Sequence, residues 1–231
     1  MQKKTFIIAG GTSGIGQQIT KKLLEKGNAV LTISRKKPEI EDPEIEHFEH
    51  DFLSDAPLPK IETQVDGLIY CPGSITLKPI GMLKPEDILN DFKLNAAGAF
   101  AFAKAYKANL AVDRNPGILF FSSVAASVGM PFHASVSMAK GAVEGLTLAL
   151  SAELSPAIRV NCLAPSLTDT PLAQPLLSND AKKSANAERH PLKRVGTAEE
   201  IAQLAVFVLT EATWMTGQII GINGGLGSMV K

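Results

Sequence analysis

The start of the chain constrains the fold more than any other stretch. Thr5-Phe6-Ile7-Ile8-Ala9 reads as a buried strand, and Gly10-Gly11-Thr12-Ser13-Gly14-Ile15-Gly16 follows it directly. Ile15, Ile19 and Leu23 then recur at helical spacing, and Gly27 closes the helix. Glycines at a strand-to-helix turn let backbone approach a phosphate closely, and the helix N-terminus favours the anion. The unit predicts nucleotide binding above the first strand. The alternative is a tight turn with no ligand.

The same alternation continues along the chain. Strand-like runs fall at 29–34, 45–50, 65–71, 118–121, 158–163 and 218–222, with helical patterns between most of them. Seven such runs predict an α/β fold of Rossmann type, a doubly wound parallel seven-stranded sheet covered by helices on both faces. The 231 residues suit one domain spanning 1–231. Segment 36–44 has two prolines and little periodicity, so the crossover helix there is expected to be absent or reduced to a turn; 55–60 is again proline-rich. Residues 171–195 are polar and aperiodic, as in a substrate loop or lid.

Twenty-three basic residues balance 23 acidic ones, which gives no electrostatic case for nucleic acid or an anionic membrane. No apolar run is long enough to span a bilayer, and the N-terminus does not read as a signal peptide. Cys71 and Cys162 lie in apolar strand-like segments and read as buried, reduced thiols. The expected location is cytoplasmic, and no metal site is expected.

Several positions above the strand ends carry polar chemistry. The second strand ends in Ser34-Arg35-Lys36, and Arg35 lies 19 residues beyond Gly16. A basic residue there accommodates a ribose 2′-phosphate, which favours NADP(H) over NAD(H); a solvated basic loop is the plainer alternative. Asp51 ends the third strand, as an adenine acceptor or a loop cap. Pro72-Gly73 ends the fourth. A long helix over 85–112 is predicted to bury Ile88, Phe92, Asn95, Ala99, Phe102 and Tyr106. Ser122 and Ser123 end the fifth strand, and Lys140 lies in the second turn of a helix opening near Ala134.

Together these residues resemble the short-chain dehydrogenase/reductase family over nearly the whole chain. The family's TGxxxGIG reads Ala9-Gly10-Gly11-Thr12-Ser13-Gly14-Ile15-Gly16, and its NNAG reads Tyr70-Cys71-Pro72-Gly73. PGxxxT becomes Pro165-Ser166-Leu167-Thr168-Asp169-Thr170, and TGQxIxxxGG runs from Thr216 to Gly225. The resemblance implies that Gly10, Thr12, Ser13, Gly14, Ile15, Gly16, Asp51 and Gly73 hold the dinucleotide. It implies that Ser123 holds a substrate carbonyl and that Asn95 orders a water serving Lys140, which binds the nicotinamide ribose. Pro165, Leu167, Thr168 and Thr170 would meet the nicotinamide. A homodimer or homotetramer acting on a small carbonyl or alcohol follows from the same likeness.

One position departs. The lysine of YxxxK is Lys140, but the tyrosine position is Val136. Residues four apart share a helix face, and valine can neither give nor take a proton. Substitutes are His133, Ser123 with a water, or Ser135 and Ser137, whose helical directions point away from Lys140. Tyr106, deep in its helix, and Tyr70, ending the fourth strand near the cofactor, are not expected to serve. Two functions stay open: an NADP(H)-dependent oxidoreductase with an altered or weakened relay, or a catalytically silent NADP(H)-binding protein acting as sensor or as partner subunit of a hetero-oligomer.

Overall fold

The structure, a computed structural model, describes residues 3–229. Strand β1 (Thr5–Ala9) leads into helix α1 (Gly14–Glu25), β2 (Ala29–Ser34) and β3 (Ile45–Glu49). After β4 (Gly67–Tyr70) come α2 (Pro85–Phe92), α3 (Gly98–Tyr106), β5 (Gly117–Phe121) and the long α4 (Ala134–Leu154). Then follow β6 (Arg159–Pro165), β7 (Thr168–Asp169), α5 (Asp180–Glu188), β8 (Gly196–Thr197), α6 (Ala198–Thr210) and β9 (Ile219–Ile222). Seven strands form one parallel sheet in the order β3-β2-β1-β4-β5-β6-β9. The short β7 and β8 pair separately, a ladder too small to leave a sequence signal.

Alternate strand residues fill the two faces, as the period of two requires. Ile7, Leu31, Leu68, Phe120 and Val160 pack with Phe102 of α3 and Val143 of α4. Phe6, Ile8, Val30 and Leu119 pack with Ile19 and Leu23 of α1 and Val206 of α6. The strand order reverses between β1 and β4, which opens a crevice above their C-terminal ends. Gly10 and Pro72-Gly73 stand at that crevice.

No helix occupies 36–44 or 52–64. The helix predicted over 85–112 differs from the expectation. Pro85 and a bond from the backbone N–H of Lys84 to Asp87 Oδ2 start it, but a π-turn interrupts it at Lys93–Ala97 and it ends at Tyr106. The π-turn frees the Leu94 carbonyl, and Tyr70 Oη donates to it at 2.7 Å. The extra residue also shifts the face: Asp91, Asn95, Ala99, Phe102 and Tyr106 are buried, whereas Phe92 is exposed. Beyond Tyr106, the Ala111 N–H bonds the Val65 carbonyl, which holds the chain extended there.

The segment 171–195 is aperiodic in sequence yet not wholly loop. It holds a 3-10 turn at Pro171–Leu176 and helix α5, whose Asn179 cap accepts from the Lys182 N–H at 2.9 Å. Helix α5 buries no residue, so it has no apolar stripe for periodicity to find. Among the described residues no helix is long and apolar enough to cross a membrane.

Candidate active site

The turn after β1 is built around space that side chains would fill. Gly10 and Gly14 have φ of 71° and 52°, the left-handed region open to glycine. A Cβ on Gly16 would lie 2.1 Å from the Gly10 carbonyl oxygen. The Ser13 side chain does not cap α1, so the first-turn N–H groups stay available to an anion. Thr12 Oγ1 donates to Ser34 Oγ at 3.0 Å and joins this turn to the end of β2. Arg35 and Lys36 stand exposed just beyond. Asp51 caps its own loop, with Oδ1 accepting from the Leu53 N–H at 2.9 Å. The turn thus joins close backbone packing to an uncapped helix start, a geometry that suits an anion.

At the other end of the crevice, Gly73, Ser123, His133, Val136 and Lys140 line one cleft with Ile15. Pro165, Leu167, Thr168 and Thr170 form its far wall. Lys140 is 8% exposed, and its Nζ donates to the Phe121 carbonyl at 2.9 Å. Burial lowers its pKa to about 8, against the opposing influence of Cys162, Cys71 and Asp91. Ser123 Oγ accepts from the Ala125 N–H at 3.2 Å, which leaves its own proton free for the cleft. Ser122 turns away and donates to Glu144 Oε1 at 2.7 Å.

Asn95 lies beneath this cleft, 1% exposed. Its Nδ2 donates to the Asp91 carbonyl at 2.8 Å and to Ser74 Oγ at 3.1 Å, while Oδ1 is buried without a partner among the described residues. A Cβ placed on Gly73 would be 3.1 Å from that Oδ1 and 3.3 Å from Lys140 Nζ. The absent side chain of Gly73 therefore leaves one gap shared by an orphaned acceptor and an ammonium. The gap suits a hydroxyl or a water, which can donate to one and accept from the other.

Val136 is 3% exposed on the cleft wall, four residues before Lys140. His133 Nδ1 lies 2.6 Å from the Pro131 carbonyl. A carbonyl can only accept, so Nδ1 carries a proton and Nε2 is the nitrogen left for exchange. Ser135 and Ser137 are committed elsewhere, to Asp91 Oδ2 at 2.6 Å and to the Ala125 carbonyl. Tyr70 is buried with its hydroxyl on Leu94, so it does not face the cofactor side of the crevice as expected. Tyr106 is a core residue donating to the Pro59 carbonyl at 2.7 Å. Cys71 lies just past the end of β4, half-buried on the cleft rather than within a strand. Burial raises its thiol pKa, so it is protonated and unreactive near neutrality.

Two polar groupings escape a reading of the sequence. Asp91 accepts from Ser74, Thr76 and Ser135. His190, 3% exposed, donates from Nδ1 to the Asn186 carbonyl at 2.9 Å and so takes the proton of Ser166 on Nε2 at 2.8 Å. Both depend on residues 15 or more apart in sequence, apart from the Asn186–His190 step. Asp91 was not on the helical face predicted from the sequence, which ran through Ile88, Phe92 and Asn95.

Comparison with known proteins agrees with this fold. A family model described as enoyl-(acyl carrier protein) reductase matches residues 9–227. A tropinone reductase homologue of Arabidopsis thaliana is 30% identical, covering 98% of this chain and 92% of that protein. A protein of Xanthobacter autotrophicus described as inactive 2-(S)-hydroxypropyl-CoM dehydrogenase 2 is 38% identical over 58% of this chain and 60% of its own length. The crystal structure of a short chain dehydrogenase family protein from Francisella tularensis superposes with a TM-score of 0.89 at 24% identity, covering 99% of this chain and all of that one. This last likeness shows the fold alone.

Proposed function

The chain belongs to the short-chain dehydrogenase/reductase family, and from that premise we propose an NADP(H)-dependent oxidoreductase that interconverts a carbonyl and an alcohol through an altered proton relay. One observation carries this reading. The orphaned Oδ1 of Asn95 and the ammonium of Lys140 still face their shared gap at Gly73, although the residue four before the lysine is Val136. A chain that merely kept the fold has no need of a buried, unpartnered acceptor beside a buried cation, because both carry a desolvation cost.

The nicotinamide group, when bound, supplies the hydride. Gly10, Gly14 and the open end of α1 would hold its pyrophosphate. Arg35 and Lys36, exposed beside Ser34, favour a 2′-phosphate and hence NADP(H). Ser123 offers its proton to the carbonyl oxygen, and Lys140 stabilises negative charge developing there. His133, on the same cleft, is the proposed proton donor through Nε2. Ile75, Leu77, Met130, Leu172 and Leu176 give the cleft apolar walls, which suit a small or medium apolar carbonyl compound. Exposed Leu89, Phe92 and Phe100 on α2 and α3, with Met138 and Leu148 on α4, support packing into a homodimer or homotetramer.

The test combines NADPH and NADH titration with NADPH oxidation across a ketone and quinone panel. The reading expects NADPH binding, turnover by the natural chain, and loss of that turnover in His133→Ala. A second reading, the silent dinucleotide-binding protein, is favoured by Val136, and the family includes a relative described as inactive. It expects NADPH binding without turnover, and activity gained in Val136→Tyr. Failure to bind either nucleotide overturns both.

A further inference from the structure

The polar network behind the cleft has a carboxylate at its centre. Asp91, 1% exposed, ends α2 one turn before Asn95. Its Oδ1 accepts from Ser74 Oγ at 2.5 Å and Thr76 Oγ1 at 3.1 Å, and its Oδ2 accepts from Ser135 Oγ at 2.6 Å. An ionised carboxylate only accepts, so all three hydroxyl protons point inward to it. That fixes a direction. Ser74 has one proton and has given it to Asp91, so toward Asn95 it can only accept. Asn95 must turn Nδ2 toward Ser74, and its second amide proton goes to the Asp91 carbonyl. Both donors are thereby used up. The amide oxygen is left facing the Gly73 gap and Lys140 Nζ.

We propose that Asp91 is a positioning residue for Lys140: it polarises the Ser74–Asn95 chain so that an acceptor faces the ammonium, and it places a buried negative charge behind it. The valine at position 136 makes this role more consequential, since no phenol shares the lysine's proton. With Asp91 neutralised, Ser74 is free to reverse its hydroxyl, the direction of the chain is lost, and the lysine gives up its proton more easily. The other groups around Lys140 are Cys71 past the end of β4 and Cys162 on β6. Glu144 lies one turn further along α4, bound to Ser122, and His133 stands on the cleft wall. Asp87, one turn before Asp91, is paired with Lys78 at 2.7 Å, so its charge is already matched. This role rests on reading Lys140 as the working cation of the proposed reductase site. Its test uses no turnover, so failure of the two is separately visible.

The experiment follows the titration of Lys140 itself in the full chain. Lysine labelled with carbon-13 at the ε position gives a signal for each lysine, and the one missing from Lys140→Met is Lys140. The midpoint in Asp91→Asn is expected to fall by roughly 1 pH unit. Ser74→Ala, which keeps the charge but breaks the chain to Asn95, is expected to lower it by a smaller amount. Thr76→Ala, which removes one donor and leaves the rest, is expected to leave it unchanged. A purely structural Asp91 predicts a lower melting temperature in Asp91→Asn with the midpoint in place, and that result overturns the proposal. An equal shift in Thr76→Ala also overturns it. Should Asp91→Asn fail to fold, Ser74→Ala decides alone: an unmoved midpoint sinks the idea.

Discussion

Lys140 carries a positive charge into a site where, among the described residues, its Nζ hydrogen-bonds the Phe121 carbonyl. Its pKa is depressed to about 8 from the ordinary lysine value of 10.5. Below pH 8 the folded and unfolded chains both hold this proton, and the folded chain bears the full burial cost, about 3 kcal/mol. As pH rises from about 8 toward 10.5 the folded chain releases the proton first, and the cost is relieved. Lys140→Met is therefore expected to raise stability at pH 7 by about 1–3 kcal/mol, with the gain fading as the pH rises above 8. Denaturant unfolding at pH 7 and pH 10 measures this; a variant less stable than the natural chain at pH 7 contradicts it. Val136 is the other decisive residue. A positioned acid contributes about 10²–10⁴ in rate, or roughly 3–5 kcal/mol of barrier. With His133 already serving as donor, Val136→Tyr is expected to leave NADPH oxidation largely unchanged; a rise of about 10²–10⁴ would favour the silent protein instead.

At the scale of elements, the π-turn between α2 and α3 shifts the helical face so that Asp91 is buried with Asn95, Ala99 and Phe102 while Phe92 is exposed. It is locked from the sheet side by Tyr70, whose hydroxyl fits only because residue 98 is glycine: a Cβ there would lie 2.1 Å from Tyr70 Oη. Gly98→Ala is expected to expel the tyrosine from Leu94, remove the π-turn and cost about 1–3 kcal/mol, with weaker NADPH binding by titration. If binding and stability both stay unchanged, the lock is not what holds Asn95. A second junction ties α6 to the sheet. The buried Arg159 donates to the carbonyls of Val208, Leu209 and Ala212, with a longer contact to Met215. These carbonyls close the C-terminal end of α6, where a cation is favourable. Arg159→Leu leaves buried carbonyls unmatched and is expected to cost about 3 kcal/mol, read as a lower urea midpoint.

At the scale of the whole molecule, the sheet order puts the β1 and β4 ends beside each other, so the glycine turn and the Lys140 cleft share one crevice. The basic end of β2 lies at its far side. Arg35→Asp is expected to weaken NADPH binding by about 10–100-fold while sparing NADH; equal losses for both nucleotides would remove Arg35 as the selector. The seven strands, the glycine turn and the missing crossover helix at 36–44 were legible in the sequence, because apolar runs, glycines and prolines act through local backbone preference. So were Ser123, Val136 and Lys140, whose spacing along a strand end and one helix face is fixed by local geometry. Three features were not legible. Helix α5 buries nothing and leaves no periodic trace. The break at 93–97 depends on a tyrosine hydroxyl arriving from β4, 24 residues away. The direction of the hydrogen bonds from Asp91 through Ser74 to Asn95 exists only once α2, α4 and the loop after β4 meet. Sequence alone determined the glycine turn, Lys140 and the valine four residues before it, because each lies within one turn or helix. The tertiary structure decided which way the protons of the buried network point, because that depends on acceptors contributed by separate elements and shielded together from water.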